Sequence, residues 1–333
     1  MSRSDRISQP FIAADVGGTH VRIGLVRPGA NGDAPLSMLA YSKFRCADYA
    51  SLSDIVRAFL SGLGAQPARV AVIASAGYPL ADGSVIAANL PWRLSPAQVR
   101  EDTGLEAVHL VNDFEAVAHA VPHLGASEVL RLSGPALGAP GPLLVLGPGT
   151  GLGAAVWIPT AGRPAVLATE AGQAALAATT ELEVELLRQM LREHSHVPIE
   201  HALSGPGLLN LYRALCALRA VRPEYAAPGE ITAAAIDGRD AIARECLHVF
   251  CGLLGSVVGD MALFYGAQGV YLAGGILPRI RQFLLDSAFV ARFLDKGPMR
   301  EALERVPVKL VEHGQLGVVG AANWYLGGPS REK

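Results

Sequence analysis

The first segment suited to chemistry is a glycine bend that follows an acidic residue. Asp15 ends the apolar run FIAAD, and Val16-Gly17-Gly18-Thr19 follows it. Glycines at such a bend let backbone amides approach an anion closely, and the carboxylate can hold a hydrated metal ion. A Gly-Gly turn in a β-hairpin also has a purely conformational explanation. This segment alone therefore leaves both interpretations open.

A second glycine-rich segment, GPGTGLG at 147–153, also stands between two apolar runs. So many glycines between strands cost backbone entropy unless something must approach the backbone closely. Two such bends are suited to holding phosphates from two sides. Neither bend matches GxxxxGK[ST], and neither leads from a strand into a helix, so the P-loop and dinucleotide-binding interpretations are excluded.

Polar residues follow other apolar runs. Asn112-Asp113 comes after the strand-like HLV and begins a helix-like segment, where Asn or Asp commonly caps a helix. The same place is the carboxyl end of a strand, where α/β proteins bind ligands and a carboxylate can take a proton from a hydroxyl. Glu170 and Glu200 lie in loop-like segments. Each alone is typical of a solvated side chain, but several such groups together suit a polyol.

The elements that must position these residues alternate between strand and helix. Strand-turn-strand patterns at 11–26 and 142–157 predict two β-hairpins. Aligning Thr19 with Thr150 sets Gly18 against Gly149, which indicates an internal pseudo-repeat and two related lobes. The other patterns predict helices at 51–63, 178–193, 205–220, 238–265 and 315–326, a helix opening at 113, and strands at 70–76, 107–112, 269–275 and 306–313. The alternation predicts an α/β architecture.

Bulk properties narrow the class of protein. A chain of 333 residues exceeds the size of one hydrophobic core, which favours two lobes with a cleft between them. The net charge of −2, without long runs of like charge, argues against nucleic-acid or membrane-surface partners and favours small molecules. The first ten residues lack the apolar core of a signal peptide, so we expect a cytoplasmic protein. The four cysteines lack metal-ligand spacing and are expected to be buried, reduced thiols.

Taken in order, these motifs resemble the bacterial-type glucokinases of the hexokinase/actin-like superfamily. The resemblance runs from Phe11 to about Gly327 and is most specific in five blocks: ADVGGTHVRIGLV (14–26), LVNDFEAVAHAV (110–121), GPGTGLG (147–153), LSGPGLLNLYRAL (203–215) and GVYLAGGILPR (269–279). It implies a two-lobed hexokinase/actin-like (ribonuclease H-like) α/β fold. The implied division is a small α/β lobe of 1–123 plus 314–333 and a large α+β lobe of 124–313, with the site in the cleft.

The resemblance also implies a role for each matching residue in the ATP-dependent phosphorylation of glucose to glucose 6-phosphate. Asp113 matches the general base that takes the proton of the sugar 6-hydroxyl. The implied sugar ligands are Asn89, Asn112, Asp113, Glu170, Gln173 and Glu200. Asp15 matches the aspartate linked to Mg²⁺ through water. The residues implied beside ATP are Gly17, Gly18, Thr19, Gly149, Thr150, Gly151, Gly274 and Gly275.

Three positions depart from the family pattern. The family usually has Glu-Gly-Gly-His where this chain has Glu170-Ala171-Gly172-Gln173, and His20 replaces a common Asn. Gln can donate and accept hydrogen bonds but cannot become cationic. These departures leave two alternatives to a glucokinase: a kinase for another hexose or an amino sugar, and a sugar-binding regulatory protein with weakened catalysis. A homodimer is the default expectation for a soluble enzyme.

Overall fold

The computed structural model describes residues 9–29, 36–64, 68–79, 85–86 and 90–327. The strands are β1 (Phe11–Val16), β2 (His20–Pro28), β3 (Leu36–Arg45), β4 (Val70–Ser75), β5 (Tyr78–Pro79), β6 (Val85–Ile86), β7 (Ala107–Asn112), β8 (Val129–Ser133), β9 (Leu143–Pro148), β10 (Leu152–Ile158), β11 (Ala165–Thr169), β12 (Gly269–Leu272) and β13 (Val308–Val311). The α-helices are α1 (Leu52–Gly62), α2 (Pro96–Thr103), α3 (Asp113–Ala120), α4 (Glu181–Met190), α5 (Gly205–Leu218), α6 (Pro228–Ile236), α7 (Ala241–Phe264), α8 (Arg281–Asp286), α9 (Phe289–Leu294), α10 (Arg300–Leu303) and α11 (Leu316–Gly327).

The chain divides into two compact units. Unit 1 comprises 1–124, 160–166 and 313–333, and unit 2 comprises 125–159 and 167–312. Residues 160–166 group with unit 1, whereas the sequence prediction kept 124–313 together. That the units act as the two lobes of an enzyme stays a prediction.

Unit 1 is built on a five-stranded sheet with the order β3-β2-β1-β4-β7. Alternate residues of β1 enter two different cores, because successive side chains of a strand point to opposite faces. Ile12 and Ala14 pack in the core that includes α1, and Phe11 and Ala13 pack in the core that includes α11. β4 runs parallel to both β1 and β7. The carboxyl ends of β1, β4 and β7 therefore lie on one edge of the sheet.

Unit 2 is built on a six-stranded sheet with the order β11-β10-β9-β12-β13-β8. β9 and β12 are parallel and in register at Leu146 and Leu272, so both end at the same sheet edge. The main helix of the unit 2 core is α7, which begins where Asp240 accepts hydrogen bonds from the amides of Ile242 and Ala243. It is long and apolar enough to cross a membrane, but 72% of its apolar window is buried inside the protein.

The structure confirms the two predicted hairpins, β1–β2 and β9–β10. The predicted helices are present with slightly different ends. For example, α1 begins after Ser51, whose hydroxyl accepts from the amide of Asp54. The strand predicted at 269–275 is shorter than expected and stops at Leu272. Gly274 has a φ of 96°, which an extended strand cannot contain, so the chain leaves the sheet there.

Candidate active site

The first glycine turn, residues 17–19, joins β1 to β2 and is closed by its own backbone. The amide of Gly17 donates to the carbonyl of His20 at 3.0 Å. Cys46, just after β3, holds the turn at two further points. Its amide donates to the carbonyl of Thr19 at 3.0 Å, and its thiol donates to the carbonyl of Gly17 at 3.3 Å. Because Cys46 is only 1% exposed, the turn is anchored to the interior of unit 1.

Asp15 lies opposite Arg22 in the β1–β2 register, and Nη1 of Arg22 is 3.1 Å from Oδ2 of Asp15. The Asp15 side chain is 22% exposed. Burial raises the pKa of Asp15, although Arg22 acts to lower it. A cation near this carboxylate would therefore stabilise its charged form.

His20 stands beside a group of cations that the strand register brings together. It is paired with Arg45 across β2–β3, and Arg22 is paired with Lys43 two residues further along. Desolvation, together with the charges of Lys43, Arg22 and Arg45, lowers the pKa of His20. At neutral pH this residue is therefore a neutral imidazole. Its replacement of Asn adds no charge next to the turn.

Asn112 and Asp113 lie where β7 ends and α3 begins. Oδ1 of Asn112 accepts from the amides of Phe114 and Glu115, both at 3.0 Å, so the predicted helix cap is present. Oδ1 of Asp113 accepts from the amide of Phe114 at 2.9 Å. Asn112 is also in register with Ser75 of β4, which is in register with Val16 of β1. The Asn112-Asp113 pair and the first glycine turn are thus on the same sheet edge.

Helix α11 packs against both the Asp15 side chain and helix α3, which begins at Asp113. A Cβ at Gly317 would lie 2.6 Å from Cγ of Asp15, and a Cβ at Gly320 would overlap the carbonyl oxygen of Ala116 in α3. The indole of Trp324 also donates to Glu115 of α3 at 2.9 Å. Glycines at 317 and 320 are needed because the helix backbone packs directly on the Asp15 side chain and on α3.

The second glycine turn, residues 149–151, is in unit 2. The amide of Gly149 donates to the carbonyl of Gly151 at 2.8 Å. The preceding strand end is in backbone contact with the end of β12: a Cβ at Gly274 would lie 2.8 Å from the carbonyl oxygen of Pro148, and a Cβ at Gly147 would overlap that of Ala273. Both positions require glycine because two backbones approach closely.

Gly149 and Gly275 differ from these two glycines. A Cβ added at either position would have no atom within 4 Å, and neither glycine is among those with positive φ. Neither the packing nor the backbone conformation of the described residues therefore demands glycine at these two positions. Glycine at these positions leaves open space beside the backbone, which a bound molecule could occupy.

Glu170, Gln173 and Glu200 are also in unit 2. Nε2 of Gln173 donates to Oε1 of Glu200 at 2.8 Å, and the amide of Leu152 donates to Oε2 of Glu200 at 3.2 Å. Glu170 is exposed and precedes the 3-10 helical turn Ala171–Gln173. Among the described residues, Ala220 is the one non-glycine residue with a positive φ. The Cβ of Ala171 therefore introduces no backbone strain.

Each unit thus carries part of the predicted set. Unit 1 brings together Asp15, the 17–19 turn, Asn112 and Asp113. Unit 2 brings together the 149–151 turn, Gly274, Gly275, Gln173 and Glu200, with Glu170 next to the same 3-10 turn as Gln173. Asn89 lies outside the described residues.

Sequence reasoning missed Arg22, Cys46 and Gly317, which hold or border the predicted residues. The contacts of Arg22 and Cys46 depend on strand register and leave no local pattern. Gly317 had a usable signal: glycines at 317 and 320 with Ala321 form a small-residue stripe on the last helix, as expected where another element packs closely.

The residues in unit 1 fit a hydrated Mg²⁺ ion. Asp15 offers a partly exposed carboxylate next to a glycine turn, and Mg²⁺ is usually held by one or two carboxylates, substrate phosphates and water. Within the described ranges, no three His, Cys, Asp or Glu side chains are grouped to hold a metal. A single carboxylate such as that of Asp15 suits an ion whose other ligands are phosphate and water.

Comparison with solved structures defines the class of protein. A crystal structure of a glucokinase from an Antarctic psychrotroph matches with a TM-score of 0.85 and 35% identity, over 96% of this chain and 99% of that chain. A ROK-family glucokinase from Streptomyces griseus, solved with glucose and AMPPNP, matches with a TM-score of 0.64 and 22% identity, over 94% and 98% of the two chains. The fold is the two-lobed hexokinase-like α/β fold of sugar kinases.

The family follows from the sequence. The family model described as Glucokinase matches residues 12–327. A glucokinase-like protein of Xylella fastidiosa (strain 9a5c) is 59% identical over 317 residues, which cover 95% of this chain and 94% of the relative. This chain belongs to the glucokinase family, whose members phosphorylate sugars.

Proposed function

We propose that this protein transfers the γ-phosphoryl group of ATP to the 6-hydroxyl of glucose, with Asp113 as the general base. The observation that carries the proposal is the position of Asp113. It is the first residue of α3, at the carboxyl end of β7, on the sheet edge that also bears Asp15 and the first glycine turn. The solved relative with glucose and AMPPNP supports this choice of ligands.

The reaction needs alignment and charge stabilisation more than covalent chemistry. Asp113 accepts the proton as the sugar oxygen attacks the γ-phosphorus, and the bond from that phosphorus to ADP breaks. The amide of Phe114, which donates to Oδ1 of Asp113 at 2.9 Å, fixes the orientation of the carboxylate. Oδ1 of Asn112 is used in capping, which leaves its Nδ2 amide as the donor to a sugar hydroxyl.

The remaining residues bind the two substrates. Glu170, Gln173 and Glu200 supply acceptors and donors for the other sugar hydroxyls, and Asn89 is proposed as a further sugar ligand. The residues proposed to bind the nucleotide are Gly17, Gly18, Thr19, Gly149, Thr150, Gly151, Gly274 and Gly275. Mg²⁺, held by Asp15 through water, would neutralise charge on the phosphates.

Two parts of the proposal concern the setting of the reaction. We place the protein in the cytoplasm, where ATP is supplied, and we keep the homodimer as the proposed assembly. A kinase for another hexose and a sugar binder with weakened catalysis are the competing functions. Gln173 motivates both, because it replaces the usual histidine in the sugar-binding segment.

The test is Asp113→Asn, assayed for ADP release with MgATP and glucose. We expect turnover to fall by about 10²–10⁴-fold, because the proton acceptor is lost. Glucose should still raise the melting temperature, because the folded sugar site remains. Glu115→Gln is the matched control, since Glu115 is in the same first turn of α3 but bonds to Trp324. Full turnover of Asp113→Asn would exclude Asp113 as the base.

A further inference from the structure

The side chain of Glu200 ties the sugar-binding segment of unit 2 to the second glycine loop. Its Oε2 accepts from the amide of Leu152 at 3.2 Å, directly after the 149–151 turn. A Cβ at Gly151 would lie 2.5 Å from the same oxygen. The carboxylate therefore lies against the loop backbone, and glycine at 151 is what lets it come so close.

Gln173 engages the other carboxylate oxygen. Its Nε2 donates to Oε1 of Glu200 at 2.8 Å, while its backbone carbonyl is 2.9 Å from Nε2 of His196. A Cβ at Gly172 would be 3.2 Å from Oε2 of Glu200. Both oxygens of Glu200 thus accept a hydrogen bond from the protein, and the carboxylate is held between two segments.

The backbone after Glu200 makes a second connection to the same loop. The hydroxyl of Ser204 donates to the carbonyl of Glu200 at 2.6 Å and accepts from the amide of Gly207 at 2.9 Å at the start of α5. The amide of Gly205 donates to the carbonyl of Gly149 at 2.8 Å. Residues 200–205 therefore contact the glycine loop at both ends of its turn.

We propose that Glu200 is a positioning residue for the second glycine loop, held in place by Gln173, and that it couples sugar binding to nucleotide binding. This inference rests on the proposed function, in which Glu200 binds sugar and the loop binds nucleotide phosphates. Each carboxylate oxygen has a second lone pair, so a sugar hydroxyl can donate to Glu200 without displacing its protein partners. A hydroxyl bound there restrains the carboxylate, and the carboxylate restrains the amide of Leu152.

The test compares Glu200→Gln with Glu170→Gln. In Glu200→Gln the carboxylate becomes a neutral carboxamide with one acceptor oxygen, so the amide of Leu152 loses its charge-assisted hydrogen bond, and Gln173 stays bonded only by turning its own amide round. Glu170 is the matched control because it is also a proposed sugar ligand, but its side chain does not cap the turn that follows it. Affinity for Mg-AMPPNP is measured without sugar. We expect Glu200→Gln to weaken binding about tenfold and Glu170→Gln to leave it unchanged.

Amide hydrogen exchange across 147–153 gives a readout that needs no ligand. We expect the amide of Leu152 to exchange about tenfold faster in Glu200→Gln and at the wild-type rate in Glu170→Gln. Gln173→Leu, which leaves the Leu152 contact in place, should produce a smaller change in the same direction. If Glu200→Gln does not fold, the exchange of the Leu152 amide in Gln173→Leu tests the same proposal.

Each result has one meaning. Wild-type nucleotide affinity and wild-type exchange in Glu200→Gln would overturn the positioning role. Equal loss of nucleotide affinity in both glutamate variants would overturn it too, because the effect would then follow sugar-site charge. If the wild-type protein binds no Mg-AMPPNP, the proposed function fails and the coupling with it, while faster exchange in Glu200→Gln alone would still establish the contact with the loop.

Discussion

The first glycine turn depends on a residue that has no role in the proposed chemistry. Burial raises the pKa of the Cys46 thiol, so the group keeps the proton that it donates to the carbonyl of Gly17. The hydrogen bond from this thiol to Gly17 is partly buried, and a bond of this kind contributes about 0.5–1.5 kcal/mol. The geometry of the turn should therefore respond to the loss of one sulfur atom.

We predict that Cys46→Ala raises the KM for ATP about fivefold and has a smaller effect on kcat. The reason is that the hydrogen bond from the thiol to Gly17 shapes the turn that is proposed to bind ATP, and does not involve the reacting atoms. Cys46→Ser should recover part of the affinity, since a hydroxyl can also donate. Steady-state kinetics with varied ATP is the measurement. The control is Cys246→Ala in unit 2, whose thiol donates to the carbonyl of Leu208 at 3.5 Å. An unchanged KM in Cys46→Ala would show that the turn holds its shape without the thiol.

For single residues, the sequence predicted candidate positions where the signal lies in neighbouring residues of the chain. Asp15 before a glycine bend and Asn112-Asp113 after a strand are local patterns, and the structure puts both on one sheet edge. Cys46 and Arg22 could not be predicted, because their contacts arise from the β1–β2–β3 register. The positions were visible in the sequence, but their partners were not.

Among the elements, α9 and α4 are joined by a largely buried ion pair. Nη1 of Arg292 is 2.9 Å from Oε1 of Glu183, and the two side chains are 13% and 5% exposed. Glu183 also accepts from the amides of Thr179 and Thr180 at the start of α4, and Arg292 donates to the hydroxyl of Ser256 in α7. Burial acts to raise the pKa of Glu183, but Arg292 and the backbone donors outweigh it, and the pKa is lowered.

We predict that Arg292→Met lowers the free energy of unfolding by about 3–5 kcal/mol at pH 7, because it leaves a buried carboxylate without its cation. The folded pKa of Glu183 is below its unfolded value, so its contribution is present above the unfolded pKa and is lost as the pH falls through the folded pKa. The difference in the free energy of unfolding between wild type and Arg292→Met should therefore shrink below about pH 4.5, the ordinary pKa of a glutamate. Denaturant unfolding at several pH values is the measurement, and a pH-independent difference would contradict the role of Glu183 ionisation.

The whole molecule distributes the proposed residues over both units: Asp15 and Asp113 are in unit 1, and Glu170 and Glu200 are in unit 2. The chain belongs to the glucokinase family, and the proposed sugar ligands include Gln173, whose side chain donates to Glu200. The hydrogen bond to Glu200 holds the Gln173 side chain in place, and unlike the usual histidine Gln173 has no titratable ring. We therefore expect glucose to be accepted as a substrate although Gln173 replaces the usual histidine.

We predict robust ADP release with glucose at low millimolar concentration or below, and weaker release with mannose, fructose, N-acetylglucosamine and N-acetylmannosamine. A coupled assay with MgATP across these five sugars is the measurement. Gln173→His is the matched variant, because it restores the usual family residue and should change the KM for glucose by no more than about tenfold. Turnover with another sugar alone would move the function to that substrate. Glucose binding without turnover would favour the weakened binder.

The sequence by itself determined the two hairpins, the main helices, the family resemblance and the candidate residues, because those depend on hydrophobic periodicity and on short motifs. Only the tertiary structure decided which residues support them. The register of β1–β3 placed Arg22 and Cys46, the packing of α11 required Gly317, and the approach of residues 200–205 to the glycine loop joined Glu200 to Leu152. Contacts between residues that are distant in sequence depend on how the elements pack. Such contacts have no fixed spacing along the chain, so the partners could not be predicted from the sequence.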